Sequence, residues 1–199
     1  LAYLDPSTKE NVAMQPQPQT SHTMTQDART IAAIDSAGVR YPIGKMDAHV
    51  RGVLHDAVSV FLFDRGETLL QQRADSKYHC GGKWANACCT HPDWGERSGP
   101  SARRRLKEEL GLDVDLHEVS ETTYRASVGD GLTEHERVRI FSADVNRESL
   151  VFDLNPEEVS RVRWVSLRDL RSAIASDPAD YAPWLRIYVQ RWEELGLPL

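Results

Sequence analysis

The clearest local structural signals of this chain lie in one segment, Glu96-Arg-Ser-Gly-Pro-Ser-Ala-Arg-Arg-Arg-Leu-Lys-Glu-Glu-Leu-Gly-Leu112. Ser98-Gly-Pro100 predicts the start of a helix, because proline is tolerated in the first turn. Gly111 predicts its end, since glycine readily adopts the left-handed conformation that terminates helices. Apolar residues recur every four positions between these two signals, at Ala102, Leu106 and Leu110. The segment therefore predicts one helix with a single apolar stripe.

Runs of β-branched and aromatic residues on both sides of this helix predict strands. These runs are Thr30 to Ile34, Val39 to Ile43, Val58 to Phe63, Thr68 to Gln72, Val114 to Tyr124, Arg137 to Val145 and Arg161 to Val165. Ser166-Leu-Arg-Asp169 is typical of a helix start, and a final helix is expected from about Pro183 to Leu195. Strands mixed with a few helices, without a regular βαβ repeat, indicate an α/β (α+β) fold with a mixed sheet between helices.

Composition excludes several classes of protein. The chain has 199 residues with 24 Lys and Arg against 30 Asp and Glu, a net charge of −6, which disfavours nucleic-acid binding. The most apolar run, Val58 to Phe63, is far too short to span a bilayer. We expect a disordered tail over residues 1–26 and a single domain over residues 27–199.

The three cysteines lie within ten positions of one another. Cys80 is followed by the adjacent pair Cys88 and Cys89, and neighbouring cysteines form a disulfide only with strain. Reduced thiols in a cytoplasmic protein are the better interpretation, and their clustering indicates chemistry or metal binding.

The helix segment resembles the Nudix box, G-x5-E-x7-R-E-U-x-E-E-x-G-U, in which U is a bulky aliphatic residue. Glu96, Glu108 and Glu109 are in register with its glutamates. Two positions depart from it: Thr90 replaces its first glycine, and Arg105 replaces the glutamate of its Arg-Glu pair. The alternative is a solvated helix face on which Arg105 and Glu109 pair for a few tenths of a kcal/mol.

The flanking segments resemble type 1 isopentenyl-diphosphate isomerases, which carry a degenerate Nudix box. The matching segments occur in the same order as in that family, from Lys45 to Trp184. They are Lys45-Met-Asp-Ala-His49 with His55, Arg73-Ala-Asp-Ser-Lys77, Trp84-Ala-Asn-Ala-Cys-Cys-Thr-His-Pro92 with Gly95-Glu96, Tyr124-Arg-Ala with Glu134-His-Glu136, and Pro183-Trp184. This resemblance implies a Nudix-type sheet sandwiched between helices and the interconversion of isopentenyl and dimethylallyl diphosphate in isoprenoid biosynthesis.

The resemblance also implies two metal sites. One would hold Mn²⁺, Zn²⁺ or Mg²⁺ through His49, His55, His91, Glu134 and Glu136, a donor set suited to divalent ions. At the other, Glu109 would hold a Mg²⁺ that bridges the protein and diphosphate oxygens. The remaining histidines are expected to be structural or at the surface: His22, His79, His117 and His135.

Roles in catalysis and substrate binding follow from the same resemblance. Cys89 and Glu136 are expected to form the acid/base pair, Tyr124 to assist beside Glu136, and Trp184 to stabilise a carbocation, while Cys88 is structural. The diphosphate of a small allylic or homoallylic substrate would be neutralised by Lys45, Arg73, Lys77 and Arg105.

Two other functions remain open at this point. A Nudix hydrolase would cleave a diphosphate and would not need Cys89. A non-catalytic zinc-binding module would use its His and Cys residues only to hold a loop, and would leave Tyr124 and Trp184 without a shared purpose. We expect a monomer, with a dimer as the alternative, and neither nucleic-acid nor membrane partners.

Overall fold

The fold is built on a nine-stranded mixed sheet with four α-helices in the part of the chain that the structure describes. This computed structural model describes residues 29–198, so the tail predicted for residues 1–26, with His22, lies outside the described residues. The strands are β1 (Thr30–Ile34), β2 (Arg40–Gly44), β3 (His55–Asp64), β4 (Glu67–Arg73), β5 (Trp84–Asn86), β6 (Cys88–Thr90), β7 (His117–Gly129), β8 (Leu132–Asp144) and β9 (Val159–Ser166). The α-helices are α1 (Lys45–Arg51), α2 (Ser98–Leu110), α3 (Leu167–Ser176) and α4 (Pro183–Gln190).

Strand β3 lies at the centre of the sheet. It pairs antiparallel with β1, β4 and β6 and parallel with β8, while β4 also pairs with β5 and β9. The register places His55 opposite Glu136 and Ser59 opposite Cys89. The sheet is therefore mixed, as predicted, and its central pairings join segments that are distant in the sequence.

Helices cover both faces of the sheet, which confirms the predicted sandwich. Alternate residues of β3 point to opposite faces. Val58, Val60 and Leu62 pack in one apolar cluster with the stripe of α2. Ala57, Phe61 and Phe63 belong to a second cluster with Trp184, Leu185 and Tyr188 of α4.

Helix α2 confirms the prediction made from its sequence. Ala102, Leu106 and Leu110 are fully buried, so the stripe is the face that packs on the sheet. Gly111 has φ 73°, in the left-handed region, and its backbone N–H caps the carbonyl of Lys107. A side chain at position 111 would also meet Asp153 at 2.6 Å, so glycine is needed there for space as well.

The hairpin of β7 and β8 is longer than the sequence indicated. Strand β8 begins at Leu132 instead of Arg137, because two successive inward positions near its start carry carboxylates, which hide the apolar pattern. The buried residues on this face are Leu132, Glu134, Glu136, Val138 and Ile140. Buried carboxylates in a strand are costly unless they are paired, so this face marks a functional position.

Three other segments differ from the predictions or refine them. Short strands β5 and β6 occupy a stretch expected to be a loop, and α1 has seven residues with no apolar stripe to announce it. The last helix ends at Gln190, before Leu195. Ser166 caps α3 as predicted, since its side chain accepts from the N–H of Asp169. None of the described helices is long and apolar enough to cross a membrane.

Candidate active site

Four predicted ligands meet at one point beside β3. The donor atoms of His49, His55, His91 and Glu136 all lie within 4.8 Å of one another. His91 Nε2 is 2.9 Å from Glu136 Oε1, and His55 Nε2 is 3.6 Å from the same oxygen. Three histidines and a carboxylate at these distances are a donor set that divalent metals accept.

The backbone fixes the orientation of two of these imidazoles. Nδ1 of His49 lies 2.8 Å from the carbonyl of Lys45, and Nδ1 of His55 lies 2.8 Å from the carbonyl of Val53. Each ring therefore donates through Nδ1 and presents Nε2 as a lone pair, the arrangement seen in metal-binding histidines.

The histidines are also held in the form that binds metal. Burial lowers the pKa of His49 to about 4 and the pKa of His91 to about 3. Both rings are therefore neutral at pH 7, and only a neutral imidazole can coordinate a cation. His49 Nε2 is buried without a hydrogen-bond partner among residues 29–198, so the residues present fit a bound metal ion.

Glu134, the fifth predicted ligand, belongs to an adjoining group. Its carboxylate lies within 4.8 Å of the donor atoms of His49 and His79, and Oε1 is 3.6 Å from His79 Nε2. His79 was expected to be structural or at the surface. The loop between β4 and β5 places it in the site, where it is 6% exposed.

A tyrosine hydroxyl connects the two carboxylates of β8. The Tyr124 hydroxyl lies 2.7 Å from Glu136 Oε2 and 2.9 Å from Glu134 Oε2, so its single proton can be donated to either carboxylate. Burial raises the pKa of Glu134 well above its usual value, and the neighbouring Glu136 raises it further. Burial acts on the pKa of Glu136 in the same direction, but the adjacent imidazoles of His55 and His91 outweigh it and hold that pKa well below the usual value. Of the two carboxylates, Glu136 is therefore the one that the protein holds in its ionised form.

The imidazole of His91 and the two carboxylates of β8 line a cavity, and Cys89 faces this cavity from β6. Its thiol donates to Oδ1 of Asn86 at 2.9 Å and lies 3.4 Å from the hydroxyl of Ser59. Burial raises the pKa of Cys89 to about 12, so the thiol carries its proton at neutral pH. Cys88 points to the opposite face and is fully buried in the cluster under α2, where it packs as expected for a structural residue.

Trp184 lines the cavity from the first turn of α4. Its side chain is 2% exposed, and the guanidinium carbon of Arg73 lies 5.3 Å from the ring centroid. Its Nε1 has no hydrogen-bond partner within the described residues. The ring face thus lines a space next to cationic and acid/base groups.

Basic side chains form the polar wall of this cavity. All four predicted diphosphate-binding residues line it, together with one cation that the sequence did not indicate: Lys45, Arg73, Lys77, Arg105 and Arg29. Burial lowers the pKa of Lys45 to about 7, and the charges of Lys77 and Arg73 act in the same direction. Such crowding of cations creates a strong preference for an anion.

Carboxylates anchor part of this basic wall. Arg105 contacts Glu109 at 2.6 Å, Glu108 at 2.7 Å and Glu158 at 3.2 Å, and Lys77 also forms an ion pair with Glu158. Glu109, the predicted Mg²⁺ ligand, therefore lies in the cavity wall beside the basic group, as the Nudix-box register indicated.

The sequence did not single out Arg29, Ser59, Glu158 or Tyr188, all of which line the cavity. Tyr188 Oη lies 2.9 Å from the Ser59 hydroxyl, and Ser59 contacts Cys89 in turn. Inward-facing Ser59 within the apolar run of β3 is the one signal that could have marked this contact.

Comparison with known proteins identifies the domain family of this chain. Residues 53–186 match the NUDIX domain family. A solved protein from Deinococcus radiodurans shares the fold with TM-score 0.66 at 15% identity, covering 81% of this chain and 98% of its own. A MutT protein from Methanosarcina mazei follows with TM-score 0.57 at 16% identity, covering 72% of this chain and 95% of its own. The chain has a Nudix fold.

Sequence relatives narrow the class to one family. The isopentenyl-diphosphate Delta-isomerase of Rhodobacter capsulatus is 44% identical over 162 residues, which cover 81% of this chain and 92% of that protein. The protein of the same name from Dinoroseobacter shibae is 48% identical over 159 residues, covering 79% and 89%. The chain belongs to the isopentenyl-diphosphate Delta-isomerase family.

Proposed function

We propose that this protein interconverts isopentenyl and dimethylallyl diphosphate in isoprenoid biosynthesis. One observation carries the proposal: the Cys89 thiol and the Glu136 carboxylate enter one cavity from different strands, beside a basic wall and an indole ring. A hydrolase needs no buried thiol there, and a structural zinc module needs no cavity. Membership of the isomerase family supports the same conclusion.

The basic wall binds the diphosphate. Lys45, Arg73, Lys77 and Arg105 provide four cations, and guanidinium groups can donate two parallel hydrogen bonds to phosphate oxygens. Arg29 extends the same wall. Remote binding of this kind positions the alkene for reaction and so lowers the entropic part of the barrier.

The reaction adds a proton to the terminal alkene carbon and removes another from the allylic carbon. Cys89 and Glu136 are the two groups that give and take these protons. The thiol is held protonated by burial and directed by Asn86, whereas Glu136 is ionised and in contact with Tyr124. An unactivated alkene is a weak base, so close placement of the acid is essential.

Trp184 stabilises positive charge that develops on the tertiary carbon. The ring face of an indole attracts a cation, and the contribution reaches about 2 kcal/mol or more in a site without water. At 2% exposure Trp184 meets this condition.

Metal binding is proposed at both predicted positions. His49, His55, His91, Glu134 and Glu136 would hold Mn²⁺, Zn²⁺ or Mg²⁺, and Glu109 would hold a Mg²⁺ shared with the diphosphate. A divalent ion supplies charge neutralisation to the buried carboxylates and to the substrate oxygens. The chain's own hydrogen bonds to Nδ1 of His49 and His55 orient the donors before any ion arrives.

The test is proton NMR of purified protein with isopentenyl diphosphate and Mg²⁺ in D₂O, with Cys89→Ala and Cys88→Ala variants in parallel. We expect dimethylallyl diphosphate that contains deuterium, with loss of turnover in Cys89→Ala alone. Release of phosphate or pyrophosphate without isomerisation would instead establish a hydrolase. Metal binding without either reaction would leave a zinc-binding module.

A further inference from the structure

His79 is the buried histidine of the cavity that the proposed mechanism does not use. It is 6% exposed, and neither Nδ1 nor Nε2 has a hydrogen-bond partner within residues 29–198. A buried imidazole without partners is destabilising by about 1–3 kcal/mol per unsatisfied polar group. Such a residue requires a compensating ligand.

The groups around His79 indicate that this ligand is a cation. Its ring centroid lies 5.8 Å from that of His49, and its Nε2 lies 3.6 Å from Glu134 Oε1. That separation is too long for a hydrogen bond but is usual for two donors that share one cation. The donor atoms of His49, His79 and Glu134 are all within 4.8 Å of one another.

His49 belongs to both donor groups, and this limits the number of ions. Its Nδ1 is engaged with the carbonyl of Lys45, so only Nε2 can coordinate. One nitrogen lone pair binds one ion. The group of His49, His79 and Glu134 and the group of His49, His55, His91 and Glu136 therefore serve a single centre.

We propose that His79 is a further ligand of the divalent ion at this centre, bound through Nε2 together with Glu134 and His49. The proposal rests on the function proposed above. It adds a fourth imidazole to the proposed metal ligands. Imidazole suits Zn²⁺, Co²⁺ and related transition metals, whereas Mg²⁺ prefers oxygen donors. His79 therefore makes the centre selective for a transition metal over Mg²⁺.

The experiment uses Co²⁺ as the probe on the full chain, comparing the wild type with His79→Gln and His79→Leu. Proton NMR of the Co²⁺ protein displays one shifted, exchangeable ring N–H signal for each coordinated histidine. We expect such signals from four histidines in the wild type and three in either variant. Co²⁺ affinity should fall by about 10-fold or more, since even outer contacts of ligands are worth about 10–100-fold, while Mg²⁺ affinity changes little.

His117→Gln is the matched control, because His117 lies at the start of β7 and contacts Ser142, away from the cavity. It should leave both the signals and the affinity unchanged. Thermal unfolding with chelator present tests folding: the variants should be as stable as the wild type, because they remove a buried imidazole without partners.

Three histidine signals in the wild type, unaltered by His79→Gln, would overturn the proposal. Unchanged Co²⁺ affinity with a raised KM for isopentenyl diphosphate would also overturn it, and would place His79 against the substrate. These outcomes are independent of the isomerase assignment. If the wild type binds Co²⁺ through four histidines but does not isomerise, the metal proposal holds and the proposed function fails.

Discussion

The guanidinium of Arg105 donates to the carboxylate of Glu109 one helical turn away, with Nη2 and Oε1 at 2.6 Å and both side chains buried. Arg105 replaces a glutamate of the Nudix box. The substitution turns a helix that would present mainly carboxylates into one that also presents a fixed cation to the cavity. The residue that departs from the motif is thus the one that brings a fixed cation into the wall of the cavity.

Replacement of Arg105 by alanine should impair both stability and binding. Removing one partner from a buried ion pair costs about 3–5 kcal/mol, because the remaining carboxylates are left buried without compensation. The diphosphate loses a ligand as well, so KM for isopentenyl diphosphate should rise. Urea unfolding and initial rates provide the two measurements. Arg103→Ala, at an exposed position of the same helix, should change the free energy of unfolding by less than about 0.5 kcal/mol.

Alanine at the two adjacent cysteines should separate chemistry from packing. Cys89→Ala removes the thiol that faces the cavity, so turnover should be abolished while near-UV circular dichroism and thermal unfolding stay close to the wild type. Cys88→Ala leaves a small cavity under α2 and should cost about 1 kcal/mol of stability with little loss of rate. Equal loss of turnover in both variants would argue against a catalytic role specific to Cys89.

Glu96→Gln should reveal a pH-dependent contribution to stability. Arg104 donates to both Glu96 oxygens, at 2.8 and 2.7 Å, and the N–H of Asp93 donates to one of them at 3.0 Å. The hydrogen bond from Arg104 is the main reason that the pKa of Glu96 lies below its usual value. The carboxylate therefore stabilises the fold above pH 4.5, and this stabilisation is lost as pH falls through the lowered pKa.

We expect Glu96→Gln to cost about 1–2 kcal/mol at pH 7, since the pair is partly exposed. The difference from the wild type should shrink in urea titrations repeated at progressively lower pH. A penalty that stayed constant across this range would mean that the amide disrupts packing rather than charge. Isomerisation should continue at the wild-type rate, because Glu96 lies outside the cavity.

Substitution of Trp184 should lower kcat, and the loss should be larger when the aromatic ring is removed than when it is replaced by a smaller ring. Trp184→Leu removes the aromatic ring, and a loss of about 2 kcal/mol of transition-state stabilisation corresponds to a roughly 30-fold lower kcat. Trp184→Phe keeps a weaker ring and should lose less. Trp192→Phe is the control, because Trp192 is buried in the same apolar cluster but does not line the cavity. A similar loss of kcat in that control would point to packing.

The sequence predicted the parts of the fold in which local chemistry and tertiary packing agree. The stripe of α2, its end at Gly111 and the cap of α3 by Ser166 are all local, and the structure confirms them. The predicted start of β8 was wrong because Glu134 and Glu136 occupy inward positions where a core strand would have apolar residues. A site that buries charge erases the very pattern by which strands are recognised.

The residues of the candidate site were predicted from the resemblance to a known family. A site residue outside the matching motifs, such as His79, was therefore not predicted. His79 lies in a loop, two residues after Lys77, and nothing about its local spacing separates it from a surface histidine. Only the path of the loop between β4 and β5 carries it to His49. Its position depends on long-range contacts, which no periodicity within the loop reports.

The parallel pairing of β3 with β8 also sets the order in which this protein can acquire activity. His55 and Glu136 are register neighbours, although 81 residues separate them (136 − 55 = 81). Pairings between such distant segments form late and slowly, because a long loop must first be closed. The two halves of the proposed metal centre do not come together until that closure has occurred. A refolding chain would therefore regain secondary structure first and its capacity to bind metal last. The rate of metal binding during refolding would then report the rate of the final folding step.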